Sequence, residues 1–154
     1  MSSRFKRKGK SKFLMIDGYV MRSAAWAALT ANDKAVYLEL KWRHDGLNNG
    51  RIGLSAREAA AAIGAASKDT GNRSLDNLRE KGFIAISKLS GFNVKSRVST
   101  EWRLTEYACS VTGELPTKDF MRWNPPEEKT TVRPQGHTVR PQGQWTPERR
   151  AKRA

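Results

Sequence analysis

SAREAAAAIGAASKDTGNRSLDNLREKGFIAI, residues 55–86, reads as helix, tight turn, helix and strand in one unbroken run. Ser55 is followed three residues later by Glu58, a spacing that lets each side chain bond the other residue's backbone amide and starts a helix near Ala56. The run Ala59–Ala62 favours helix, and Gly64 suits the left-handed position that closes it. Ser67 is placed to cap a second helix. In it Gly71, Leu75 and Leu78 recur at intervals of four and three on one side, while Lys68, Asp69, Asn72, Arg73 and Asp76 fall elsewhere. One side packs and the other is free to meet a partner. Gly82 stops this helix, and Phe83, Ile84 and Ile86 begin a strand.

Ser67, Lys68, Thr70, Arg73, Leu75, Leu78, Lys81, Gly82, Phe83 and Ile84 together resemble the recognition-helix signature of bacterial winged helix-turn-helix proteins, and the resemblance spans residues 31 to 104. It implies an α+β fold with a three-helix core and a β-hairpin wing. The helix over 68–81 would enter the DNA major groove, and the wing would touch the backbone or minor groove beside it. Gly71 and Ser74 depart from the family, which usually has small or medium apolar residues there. An interior glycine costs about 1 kcal/mol of helix relative to alanine, so Gly71 either permits closer packing on the first helix or leaves the second one soft.

The flanking sequence fits around this motif. Residues 13–21, FLMIDGYVM, predict a short strand or an extended lead-in that packs its large side chains, and Ser23–Leu29 a brief helix carrying Trp26 and Leu29. Thr30 with Asp33 offers a second cap, ahead of a long helix whose Val36 and Leu40 face the core with Tyr37 and Trp42 flanking. The stretch from Asp45 to Gly50 is a loop, and Arg51–Leu54 a short strand beside the wing. The wing covers 83–104: one strand to about Lys88, a turn at Ser90, Gly91 and Asn93, and a return strand with Val98, Thr100, Trp102 and Leu104 on one face. Lys88, Lys95, Arg97 and Arg103 surround it, with chemistry suited to phosphates. Trp26, Trp42 and Trp102 fall at core spacing, which argues against a base-stacking platform. An irregular strap follows from Tyr107, anchored by Phe120, Met121 and Trp123.

Charge divides the chain into parts. Of a net +14, residues 1–12 hold +6 and residues 127–154 hold +4, leaving +4 for the rest. The expected organisation is a disordered basic arm (1–12), a winged domain with its strap (13–124) and a flexible low-complexity tail (125–154). The tail contains the tandem TVRPQGH and TVRPQGQ at 131–144, read as a tether or, alternatively, a peptide ligand for a protein partner. Basic arms add sequence-independent, salt-sensitive affinity for polyanions.

Several chemistries have no seat in the sequence. Cys109 is the only cysteine, which rules out an internal disulfide, and with His44 and His137 far apart there is no zinc pattern. No phosphate-cradling glycine loop and no carboxylate cluster is present, so no enzyme activity, cofactor or metal is expected. Apolar runs are too short for a membrane span or a secretory signal, which points to a cytoplasmic protein, and the resemblance implies a bacterial one, nucleoid-associated when bound.

The expected function is sequence-specific binding of double-stranded DNA in transcriptional control. Lys68, Asp69, Thr70, Asn72 and Arg73 would meet base edges or nearby phosphates, Ser67 would cap the helix, and Lys88, Lys95 and Arg97 would hold the backbone. Binding at a plasmid or phage replication origin is the alternative within this class. A protein- or RNA-interaction module is the alternative outside it, and a homodimer is open in either case.

Overall fold

The computed structural model describes residues 12–89, 91–93, 96–97 and 99–126. The architecture is α+β. Two one-turn helices, α1 (Gly18–Met21) and α2 (Ala24–Ala27), precede the long α3 (Ala31–Arg43). Strand β1 (Ile52–Gly53), the helix pair α4 (Ala56–Ala62) and α5 (Lys68–Glu80), and strands β2 (Ile84–Lys88), β3 (Phe92–Asn93), β4 (Ser96–Arg97) and β5 (Glu101–Leu104) follow, and a 3-10 turn at Asp119–Met121 ends the order. The main sheet is antiparallel with order β1-β5-β2. Ile52 pairs with Trp102, and Ile84 with Leu104. A bulge between Ile86 and Lys88 shifts the register at the outer end of β2.

Both expected capping boxes form. Ser55 N donates to Glu58 Oε2 at 2.8 Å while the Ser55 hydroxyl accepts from Glu58 N at 3.3 Å, and Thr30 and Asp33 exchange equivalent bonds of 3.0 and 3.2 Å. Asp33 does more than cap. Buried, it also accepts from Asn77 Nδ2 at 3.2 Å, tying the start of α3 to α5.

Helix α5 packs against α4 through the smallest residue available. A Cβ at Gly71 would lie 2.3 Å from the Ala56 carbonyl oxygen and 2.6 Å from the Ala60 nitrogen, closer than any side chain can sit to backbone. Of the two roles open to Gly71, close packing is the one adopted. Ser74, the second departure, is likewise buried on this face with Leu75 and Leu78. Gly82, at φ +78, then turns the chain into β2 where a side chain would strike Asp119 and Phe120.

The core centres on aromatic rings. Phe83 stacks on Phe120 at 4.8 Å and meets Tyr37 edge-on at 5.3 Å, while Trp26 contacts both Tyr37 and Phe83 at about 6 Å. Trp102 is buried too, its indole donating to Leu54 O at 2.9 Å. Beside the rings lies a buried ion pair: Glu106 Oε2 accepts from Lys41 Nζ at 2.8 Å and from the Tyr37 hydroxyl at 2.7 Å. Asn49, fully buried, clamps the end of β5: its amide donates to the carbonyls of Leu104, Tyr107 and Ala108 and its oxygen accepts from Leu104 N at 2.7 Å.

Four expectations need correction. Residues 18–21 form a turn of helix rather than a strand, held by Val20 N and Met21 N donating to Asp17 O, and Phe13 and Met15 of the lead-in stay exposed. Trp42 is 44% exposed rather than in the core. It follows Leu40 by two residues, which at 100° per residue puts it on the opposite side of the helix. Met121 is half exposed, because Phe120 takes the inward position of that turn. Asn93, expected in the turn, lies instead in β3, where it pairs with Ser96 of β4. Ser90, Lys95 and Val98 lie outside the described residues, as do residues 1–11 of the expected arm (1–12) and residues 127–154 of the expected tail (125–154), with the tandem repeat. Among the described residues no helix is long and apolar enough to cross a membrane.

Gly71→Ala tests the close approach. Helix propensity alone would favour alanine by about 1 kcal/mol, yet overpacking against backbone should make the variant less stable by about 1 to 3 kcal/mol in urea unfolding. A second expectation concerns alkaline pH. Burial, reinforced by the Glu106 carboxylate, pushes the Tyr19 hydroxyl up to about 12 and Tyr37 well above its ordinary value. Burial opposes the charge on Lys41, but its bond to the Glu106 carboxylate and the nearby Tyr107 outweigh this and raise its pKa. All three groups hold protons more tightly folded than unfolded, so their contribution is complete below the unfolded values and lost as pH climbs through the folded ones. The contribution of these three groups to the unfolding free energy should therefore hold to about pH 10 and fall above it, with a shallower alkaline fall in Tyr37→Phe.

Candidate nucleic-acid interface

Helix α5 begins at a cap in which the Ser67 hydroxyl accepts from Asp69 N at 3.2 Å, which fixes the first turn and the direction of the side chains that follow. Because Gly71, Ser74, Leu75 and Leu78 are buried, the 3.6-residue repeat turns Asp69, Asn72, Arg73, Asp76 and Glu80 outward, with Lys68 and Arg79 on one flank and half-buried Thr70 on the other. The structure thus brings Ser67, Lys68, Asp69, Thr70, Asn72 and Arg73 together on one exposed helix and its cap. Lys88 is exposed at the outer end of β2, just past the bulge and across from Glu101. The backbone of Arg97 lies in β4. Arg103 is engaged elsewhere, in an ion pair with Glu114.

The outward face carries its own hydrogen-bond order. Asn72 Nδ2 donates to Asp76 Oδ2 at 3.1 Å, and Arg79 lies 3.5 Å from the other oxygen of the same carboxylate. Asp76 therefore engages both Asn72 and Arg79. Asp69 sits in the first turn, where the unpaired backbone amides favour negative charge. Arg73 has no acidic partner among the described residues. With three carboxylates against one arginine, the centre of this face repels phosphate, and the cations able to hold a backbone stand at its margins.

One of those cations escapes a sequence reading. Arg57, in the first turn of α4, joins Lys68 at an open cleft of about 370 Å³ whose walls are Ala60, Ala61, Ala65 and Ala66. The signal was there in principle, since a cation in the first turn of a helix opposes the helix dipole and needs a reason. Asn49 and Glu106 could not be found in this way, because their partners are 55 to 69 residues distant. Among the described residues no cluster of His, Cys, Asp and Glu is arranged to hold a metal.

No family model, curated protein or solved structure matches this chain.

Ser67→Ala should lower stability by about 1 kcal/mol, the ordinary cost of losing a cap. Amide hydrogen exchange should locate the loss in the first turn of α5, at residues 68–71, and leave α3 unchanged.

Proposed function

We propose that the chain is a winged helix-turn-helix protein that binds double-stranded DNA sequence-specifically, with α5 in the major groove. The observation that carries this reading is the exposed first half of α5. Asn72 and Arg73, side chains whose geometry matches adenine and guanine edges, are both exposed on a helix whose other face is locked onto α4 by Gly71. Arg57 and Lys68, which share a cleft beside α5, and the exposed Lys88 would hold the sugar-phosphate backbone. Lys95 and Arg97, expected from sequence to hold the backbone, would add to these contacts. The +6 of residues 1–12 and the +4 of residues 127–154 add affinity without choosing a site. Carboxylates at the middle of the face suit base reading, where they orient donors or accept from cytosine, and they penalise nonspecific phosphate contact.

We read the protein as a binding protein rather than an enzyme, acting in transcriptional control, with replication-origin binding as the alternative in the same chemistry. A second reading has one specific observation in its favour. Asp69, Asp76 and Glu80 on the outward face would equally suit a basic protein surface, making the domain an interaction module.

Selection from a random duplex pool at near-physiological salt should enrich a defined sequence. The double variant Asn72→Ala, Arg73→Ala should then lose about 1 to 3 kcal/mol of discrimination for each base contact removed. Arg57→Ala should instead weaken binding evenly across sequences and reduce the salt slope by about one. A double variant that keeps its full preference for the selected site over random DNA would sink the proposal.

A further inference from the structure

The outer face of α3 is apolar where solvent-facing helix is normally polar. The core side of this helix carries Asp33, Val36, Tyr37, Leu40 and Lys41, all buried. Directly opposite, at 100° per residue, lie Ala31, Ala35, Leu38 and Trp42. Their spacing of four, three and four is that of a coiled-coil seam. Ala31 and Trp42 are exposed, Ala35 and Leu38 half-buried. Helix α5 meets the buried side of α3, where Asp33 accepts from Asn77.

The charges next to this stripe are already engaged within the chain. Glu39 pairs with Arg43 at 2.8 Å, Arg43 reaches on to Gly53 O and Glu58, and the Lys34 ammonium lies 5.4 Å from the Trp26 ring. Covering the stripe would strand none of them. The lead-in enlarges the surface: Lys12 donates to the Trp42 carbonyl and places its ammonium 4.4 Å from the indole, so the chain leaves beside Trp42 with Phe13 81% and Met15 61% exposed. With about 150 to 250 Å² for each large side chain, the patch offers on the order of 500 Å² of apolar surface. A standard interface needs about 800 Å² from each partner, much of it a polar rim.

The geometry points to a second copy of this chain as the occupant, packed by α3 against α3 about a two-fold axis. Side-chain size rises along the stripe, from Ala31 and Ala35 to Leu38 and Trp42. A two-fold axis between residues 36 and 37 sets Ala31 against the partner's Trp42 and Ala35 against the partner's Leu38. Each large side chain then meets a small one. A parallel pairing would stack large on large and leave the alanines facing a gap. Because α5 packs on the opposite side of α3, both copies keep α5 free, and this contact stands whether or not the chain binds DNA.

Sedimentation equilibrium on the full chain should show a reversible dimer. Leu38→Glu should raise its dissociation constant by at least about 30-fold, the effect expected of a central interface anchor, with the helical circular dichroism and Tm of the parent. Leu47→Glu, on the exposed loop beyond α3, should leave association unchanged. A parent chain that stays monomeric at the highest soluble concentration would overturn the inference. So would a Leu38→Glu variant that dimerises as tightly as the parent, or a Leu47→Glu variant that dissociates to the same extent.

Discussion

The close approach of α4 and α5 at Gly71 is the constraint on which the presented surface depends. With the Ala56 carbonyl only 2.3 Å from where a Cβ would stand, the two helices are held at backbone contact and α5 cannot rotate without a clash. That contact fixes which residues of α5 are turned outward. The local cost of an interior glycine, about 1 kcal/mol, is offset by what the close approach allows: burial of Ser74, Leu75 and Leu78 against neighbours on one side only.

Longer-range ties keep this pair in place on the rest of the domain. Asp33 joins the cap of α3 to Asn77 of α5, while Glu106 joins α3 to the chain just past β5 through Lys41 and Tyr37. The stacked rings of Phe83 and Phe120 lock the strap over the turn that leaves α5, at the point where Gly82 leaves room for it. A buried ion pair is in general no better than well-packed apolar residues for stability, but removing one partner leaves a buried charge uncompensated. The Glu106 cluster therefore makes the relation between α3 and the sheet sensitive to a change at either partner.

Elements written in local code were legible in the sequence. Both capping boxes, the Ser67 cap and the Gly82 stop follow from residues a few positions apart, and the structure has them all. The sense of the Gly71 departure was not, because two outcomes fit a lone glycine and only the position of α4 decides between them. Trp42 shows a different failure: the apolar residues of α3 form two stripes, and an overall apolar pattern hides which of them faces inward. Asn49 lay within an obvious loop signal and is a fully buried clamp, since its four partners belong to a strand and strap fifty residues away. At the site, the exposed residues of α5 were legible from periodicity alone, whereas the bond from Asn72 to Asp76 and the cleft shared by Arg57 and Lys68 required the fold.

On the proposed reading these pieces would divide the labour: a helix held rigidly from behind, base-matching side chains in its first half, cations beside it and most of the excess charge in residues 1–12 and 127–154. The measurement that bears most directly on this account is a titration of the isotope-labelled full chain with its selected duplex, followed by backbone amide chemical shifts. The account predicts the largest changes at residues 67–73, at Arg57 and along the β2–β5 hairpin. Changes confined to residues 1–12 and 127–154, with α5 unmoved, would contradict it.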